Sequence, residues 1–325
     1  MNIKTSIKKI IPYAILCKAR LYLEEKRSNQ TYPEIEASID ATFEHQFGKK
    51  VDWDNPTSYN EKLQVSKLYA VSEDKIQLTD KIAVEEWVKR RLGSSDDCHF
   101  IPLIAAYDSV DDIDFSQLPE KYVIKMNNDS GSALVIDKDR PFTERNKKEY
   151  KYYFQKRNYA YVSYELQYRD IKPKIMIQKY MGHSIRDYKF ACFNGKVVSC
   201  RVDFDRFGNH TRNIYDKNWT LLPYNKGEYT NNPKTIKKPA NFEKMWKLAS
   251  KLSKGFDQVR VDFYDIDGKI YFGEMTFTNG NGVEAFHPND YDEKMGQEWK
   301  LDMDAISERR KKLLKLNTKI KDVKF

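Results

Sequence analysis

Arg260, Asp262 and Glu274 stand inside the stretch VRVDFYDIDGKIYFGEMTF (Val259 to Phe277), most of whose other residues belong in a core. Val259 to Ile266 and Lys269 to Phe277 are rich in Val, Ile, Phe and Tyr, and Asp267-Gly268 lies between them. Asp-Gly between two such runs predicts a hairpin, because both turn positions require positive φ. Alternation puts Arg260 and Asp262 on one face of the first strand, and Glu274 and Thr276 on one face of the second. Counting outward from the turn sets Asp262 opposite Gly273, one residue short of Glu274. A single bulge, which the glycine permits, brings the two carboxylates side by side. Like charges so placed repel by roughly 0.2–1 kcal/mol at a solvated pair. Either this face is wet, or a hard cation sits between the oxygens. Mg²⁺ takes one or two carboxylates together with substrate phosphates, so two acids and an adjacent Arg suit a nucleotide–magnesium site.

Cations elsewhere bear on that choice. Lys125 lies at the end of an apolar strand and is followed, after Met126, by NNDSGSA. An ammonium beside a loop with a glycine and small hydroxyl residues can surround phosphate oxygens with N–H groups. The loop is not a Walker A sequence, and a surface turn accounts for the same residues. Lys81 lies on a preceding helix, and MIQKYMG offers backbone groups to an adenine edge or is plain core strand.

The elements that must position these groups follow from local signals. In TSYNEKLQVSKLYA, Ser58 and Glu61 form a capping box that opens a helix through about Ala70. TDKIAVEEWVKRRLG predicts a second helix, with Thr79 or Asp80 near its start and Gly93 after its end. HFIPLIAAY predicts a strand, KYVIKMNNDSGSALVID a strand, glycine turn and strand, and residues 144–158 a helix. KPKIMIQKYMG is a strand running into a loop, and DYKFACFNGKVVSCRVDFDR a hairpin around Asn194-Gly195. NFEKMWKLASKLSKG is a helix from Asn241 with Gly255 as its stop. Short-turn strand pairs interrupted by helices predict an α+β fold with antiparallel sheets.

Composition narrows the classes. The 325 residues allow one large domain or two to three lobes, and 14% aromatic content argues for a folded chain. No run approaches the roughly 18 apolar residues of a spanning helix, and no apolar segment with a small-residue cleavage site marks the start for export. Cys17, Cys98, Cys192 and Cys200 lack Cys-x-x-Cys spacing and read as reduced thiols. The net charge of +9 is concentrated at the ends: residues 1–30 carry +5 and residues 306–325 carry +6, leaving −2 on the other 275. A nucleic-acid enzyme would carry its basic stripe on the folded body, so nucleic acid is discounted. The start, MNIKTSIKKIIPYAILCKARLYL, is either an amphipathic segment for an anionic membrane surface or a helix packed on the body. The tail SERRKKLLKLNTKIKDVKF is open to the same two readings.

In order, helix Lys81, strand Lys125 with its glycine loop, IQKYM, and the Arg260-x-Asp262 and Glu274 hairpin make a distinctive series. With NPTSYNEKLQ, TDKIAVEEWV, LPEKYVIKMNNDSGSA, DYKFACFNGK, KLASKLSKGFDQVRVDFYDIDGKIYFGEMTF and KMGQEW, the chain resembles the ATP-grasp enzymes, in particular the TupA-like branch associated with bacterial cell-surface polysaccharides. These stretches span roughly residues 45–300, in the family's order. The resemblance implies two antiparallel-sheet lobes with helices, clasping ATP between them. It divides the chain into a basic N-terminal extension (1–40), a helical and strand region (41–118), a small lobe with glycine loop and hinge (119–182), a large lobe with the metal site (183–300) and a basic tail (301–325). Lys81 and Lys125 would hold the α- and β-phosphates, with Asn128, Ser130, Gly131 and Ser132 in the lid that runs to Ala133. Gln178, Lys179 and Met181 would meet adenine, and Asp187 the ribose. Asp262 and Glu274 would bind magnesium ions, Arg260 would stabilise the reacting centre, and Lys189 and Arg206 would approach the γ-phosphate. Two positions depart from the superfamily: Thr276 stands where many members have Asn, and Gln178 where an acid is common.

The activity so implied is ATP-dependent amide formation between a uronic-acid carboxylate of a surface polysaccharide, or its precursor, and an amino acid or other small amine. ATP and Mg²⁺ would be the cofactors. The cytoplasm would be the compartment, with the inner face of its membrane favoured by the basic ends. The alternative is a metal-dependent glycosyltransferase using Asp203-x-Asp205 in VDFDR. A non-catalytic adaptor tethered by its basic ends is a third class, and an ATP clamp forming a phosphate ester a further variant.

Overall fold

The computed structural model describes residues 13–93, 97–182, 185–204, 210–234 and 236–324. Among these the strands are, in chain order, β1 (His99–Phe100), β2 (Leu103–Tyr107), β3 (Tyr122–Met126), β4 (Leu134–Ile136), β5 (Ile175–Lys179), β6 (Asp187–Phe193), β7 (Lys196–Phe204), β8 (Thr211–Tyr215), β9 (Asn225–Lys226), β10 (Gln258–Ile266), β11 (Lys269–Thr276) and β12 (Phe286–His287). The described residues fall into two compact units, each discontinuous in sequence: those within 13–35, 102–180 and 317–324 form one, and those within 36–101 and 181–316 the other.

The first unit is built on a four-stranded antiparallel sheet in the order β2-β5-β3-β4. Alternation sends Tyr122, Ile124, Met126, Ile175 and Ile177 to one face, where they pack with Val110, Ile113, Tyr150 and Phe154. Val123, Lys125, Met176 and Gln178 therefore share the opposite face. Residues 144–158 are not one continuous helix: an α-helix Glu144–Glu149 passes into a π-helical turn, Tyr150–Phe154. That turn aims the Tyr150 hydroxyl at the sheet, where it donates to the carbonyls of Ile124 (3.1 Å) and Ser132 (2.7 Å).

In the second unit a six-stranded sheet runs β1-β11-β10-β6-β7-β8, antiparallel except for the β1–β11 pair. One face is apolar. Tyr188, Phe190 and Cys192 of β6 and Val259, Val261 and Phe263 of β10 lie buried with the helix Phe242–Ser253, whose Phe242, Met245, Trp246, Ala249 and Leu252 recur at helical spacing. Phe190 meets Phe242, Trp246 and Phe263, each with ring centroids 5.9 Å apart. Full burial of each such side chain contributes roughly 1.5–3 kcal/mol, so this layer fixes which face of the sheet is left for charge. A smaller cluster around Tyr59, Phe193, Phe286 and Trp299 seats the helix Tyr59–Tyr69.

Local signals explain most boundaries. Ser58 and Glu61 form the capping box, and the helix ends at Tyr69 with Ala70 as its cap. Asn194 and Gly195 (φ 48° and 79°) turn the β6–β7 hairpin, and Asp267 and Gly268 (φ 51° and 74°) the β10–β11 hairpin. Two expectations are corrected. HFIPLIAAY is two strands in different units, divided at Ile101-Pro102, where proline removes a ladder donor. Lys81 is not on a helix: it lies in the turn between helices Glu73–Thr79 and Val84–Leu92. There Asp80 Oδ1 accepts from the Ile82 (2.8 Å) and Ala83 (3.3 Å) amides and starts the second helix three residues later than its apolar pattern. The first half of the basic N-terminal stretch lies outside the described residues; its remainder is the helix Tyr13–Ser28. The four cysteines are free thiols. Among the described residues no helix is long and apolar enough to cross a membrane.

Candidate functional site

The charged face of the second unit's sheet is a register row. Arg201 pairs with Lys189, Lys189 with Asp262, and Asp262 with Glu274, across β7, β6, β10 and β11. The last pairing exists because the ladder shifts between Asp262 and Phe263. Gly273 permits it: a Cβ there would lie 3.0 Å from the Asp262 carbonyl oxygen. The predicted bulge is present, and the two carboxylates are neighbours.

Cations hold them together. Arg260 donates from Nε to Asp262 Oδ1 (2.7 Å) and from Nη2 to Asp262 Oδ2 (2.7 Å) and Glu274 Oε1 (2.6 Å). Its Nη1 donates to Asn279 Oδ1 at 2.7 Å. Lys189 Nζ lies 2.8 Å from Asp262 Oδ2 and 3.2 Å from Asp187 Oδ2. Thr276 Oγ1 donates to Glu274 Oε1 at 2.9 Å. Burial pushes the Glu274 carboxyl up, but Arg260, Lys189 and Lys81 outweigh it and hold the group well below the ordinary carboxylate range. Lys81, which acts on Glu274 in this way, thus belongs to the same charged field. For Arg260, burial opposes the charge and is overcome by Asp262 and Glu274, so its pKa is raised. The guanidinium is a permanent cation clamping two anions.

The donors here are hard oxygens. Among the described residues no three or more His, Cys, Asp or Glu are grouped as a metal cage. A hard divalent cation at Asp262 and Glu274 would complete its shell from phosphate oxygens and water, with Thr276 and Asn279 close by. That donor set fits Mg²⁺, which keeps waters and substrate phosphates among its ligands, and does not fit zinc.

In the first unit, Lys125 is in register with Met176, and Gln178 with Val123, on the face away from the core. Lys179 pairs with Tyr122 and belongs to the other face, its side chain exposed. The loop after Lys125 is strapped from behind. Ser132 Oγ accepts from the Met126 amide (2.9 Å) and donates to Asp129 Oδ1 (2.6 Å). Buried Arg157 binds Asp129 Oδ2 and, at 3.2 Å, the Ser130 carbonyl. Asn127 exchanges hydrogen bonds with Lys172 and Lys174. Ser132 and Asn128 thus face inward, while Ser130 and Gly131 (φ 97°) form the exposed tip.

Arg260, Lys189, Asp187, Asp262, Glu274 and Lys81 are brought together in the second unit, and Lys125, Gln178 and the loop belong to the first. Met181, two residues beyond β5, belongs to the second unit and has no regular structure of its own. Arg206 and Asp205 lie outside the described residues. Asp203, the other half of the Asp-x-Asp pair, is engaged by Arg212 Nε (2.9 Å), His210 Nε2 (3.1 Å) and Arg201 Nε (3.5 Å). Burial raises its pKa and the arginines more than reverse this, so it is firmly ionised within a protein ion network. Arg201 and Asp203 were missed as neighbours of the site, although Ser199, Arg201 and Asp203 alternate along β7 in the way that marks one polar face. Asn279 and Arg157 carry no local signal.

The family described as TupA-like ATPgrasp matches residues 61–300. Among curated proteins none matches. Among solved structures, the D-alanine–D-alanine ligase from Bacillus anthracis is 17% identical with a TM-score of 0.41, covering 74% of this chain and 69% of that one. The corresponding ligase from Helicobacter pylori is 14% identical (TM-score 0.38, 77% and 68%). The L-amino acid ligase from Bacillus licheniformis is 12% identical (TM-score 0.43, 79% and 57%).

Proposed function

The chain belongs to the TupA-like ATPgrasp family, and from that premise we propose that this ATP-grasp ligase joins the carboxylate of a uronic acid, in a surface polysaccharide or its precursor, to an amino acid or other small amine. The observation that carries the reading is the row Lys189–Asp262–Glu274 with Arg260 hydrogen-bonded to both acids. It concentrates fixed cations and hard oxygens where a triphosphate would need them. A carboxylate is a poor acylating agent, because its leaving group would be an oxide. Attack of a carboxylate oxygen on the γ-phosphorus, with ADP leaving, converts it to a mixed anhydride. The amine then attacks the carbonyl carbon, losing a proton, and phosphate leaves.

The side chains required are clamps, not covalent nucleophiles. Arg260 and Lys189 would neutralise charge on the transferred group. Lys81, Lys125 and the Ser130–Gly131 tip would hold the α- and β-phosphates. Gln178 and the backbone of Lys179 and Met181 would meet adenine, and Asp187 the ribose. Mg²⁺, held by Asp262 and Glu274, would neutralise the phosphate oxygens. The exposed Ile15, Tyr22 and Leu23 on the helix Tyr13–Ser28, which ends in Lys26 and Arg27, support contact with an anionic membrane carrying the acceptor. The deciding experiment is an ADP-release screen of uronic acids crossed against amino acids, with mass spectrometry of the products. A condensed amide supports the reading; a phosphate ester, or ADP release with no acid present, contradicts it.

A further inference from the structure

Next to Arg260 in the second unit lies a cavity of about 50 Å³, bounded by Tyr59, Ser199, Arg201, Tyr224, Lys226 and Arg260 among others. Lys226 is 4% exposed, and among the described residues its Nζ has no hydrogen-bond partner. The ammonium lies over the Tyr59 ring at 4.2 Å and the Phe286 ring at 5.0 Å. Its backbone is fixed: the carbonyl accepts from Arg212 Nη1 (2.7 Å) and β9 pairs with β12 through Phe286. Arg201 adds a second cation whose buried Nε, among the described residues, also lacks a hydrogen bond and lies 3.5 Å from Asp203 Oδ2. The Glu284 and Asp292 carboxylates act on the Lys226 ammonium without an ion-pair contact among the described residues; a buried ammonium lacking a contact partner costs several kcal/mol by order of magnitude, and native proteins rarely leave such groups unpaired. Arg260, which bounds the same cavity, is already matched by two acids and an amide.

We propose that this cavity seats a carboxylate of one co-substrate, with Lys226 as its counter-ion, Arg201 as a second cation and Tyr59 as the wall. The inference rests on the ligase reading above and adds to it a specificity-determining subsite. The space is that of about three to five waters, each needing about 10–15 Å³ of such volume, so the carboxylate group fits and a whole sugar acid does not. The bound group therefore projects in from a substrate body outside, close to Arg260. The carboxylate could be the α-carboxylate of an amino-acid amine donor or that of the sugar acid. In either case the rest of the molecule lies on the side of the transferred phosphoryl group.

The test uses glycine, glycinamide and galacturonate as probes, titrated calorimetrically into the full chain with and without Mg²⁺ and a non-hydrolysable ATP analogue. Glycine or galacturonate is expected to bind, and glycinamide not. Lys226→Met should weaken the acid by about tenfold or more, the worth of a charged hydrogen bond. Lys226→Arg should retain it, which separates charge from misfolding. Binding of glycine alone assigns the subsite to the amine donor, and of galacturonate alone to the sugar acid. Acid binding unchanged in Lys226→Met, or absent from the wild type, overturns the subsite. Nucleotide binding is read in the same titrations: its absence counts against the ligase reading, whereas intact nucleotide binding with acids insensitive to Lys226 removes the subsite alone.

Discussion

Asp262 and Glu274 are direct cross-strand partners, and the ladder slips immediately after Asp262 to make them so. The slip depends on the absence of a side chain at residue 273, where a Cβ would meet the Asp262 carbonyl at 3.0 Å and the Tyr264 ring at 3.2 Å. Gly273→Ala is therefore expected to cost about 1–3 kcal/mol, the usual penalty of overpacking, and to lower ADP production by separating the acids. Thermal melting and ADP release check this together. An alanine variant as stable and active as the wild type would show that the close approach is not needed.

Arg157 and Asp129 are both buried and bonded to each other behind the loop that carries Ser130 and Gly131. Arg157→Met removes the guanidinium from the buried Asp129 carboxylate, and breaking a buried ion pair in this way costs about 3–5 kcal/mol. Adding Asp129→Asn to that variant should recover part of the loss. Urea unfolding of the two single variants and the double variant measures the coupling, and strictly additive losses would contradict it.

Lys226 gives a pH-dependent stability with a definite sign. Burial, opposed by Glu284 and Asp292 and reinforced by Arg201 and Arg212, pushes its ammonium down to about 8. The unfolded chain holds that proton up to about 10.4. Between these values the unfolded state binds more protons, so the lysine's destabilising contribution is full below pH 8 and fades as pH rises towards 10. Lys226→Met should accordingly stabilise the protein by about 1–2 kcal/mol at pH 7, the shift being offset in part by the lost cation–π contact. The gain should shrink at pH 9.5. Denaturant midpoints at the two pH values provide the check; a gain that grows with pH would contradict the assignment.

Much of the geometry of the Asp262–Glu274 pair was legible in sequence because hairpins obey local rules. Asp267-Gly268 fixed the turn, alternation fixed the faces, and Gly273 next to Glu274 marked the bulge. Lys81 was misplaced because the apolar pattern of the Val84–Leu92 helix continues backwards through residues that Asp80 instead folds into a turn. Pro102 was the available signal that HFIPLIAAY would divide, and its apolar content hid it. The resemblance puts Ser132 in the lid with its loop neighbours; only the partners Met126 and Asp129 show that it is turned inward. Lys226 and Tyr59 are 167 positions apart and carry no motif, so the packing of β9 beside the helix Tyr59–Tyr69 had to be seen before their contact could be.

The central claim is that Asp262 and Glu274 hold the metal of a bound nucleotide. It is tested most directly by titrating a non-hydrolysable ATP analogue, with and without Mg²⁺, into the wild type and Glu274→Gln. Glu274 is suited to this because a glutamine there keeps the shape and, through its amide oxygen, the acceptor for Arg260 and Thr276. Mg²⁺-dependent binding in the wild type, weakened in Glu274→Gln by about 1.4 kcal/mol or more, a factor of ten, is the predicted result. Equal, metal-independent affinity in both proteins would contradict the account.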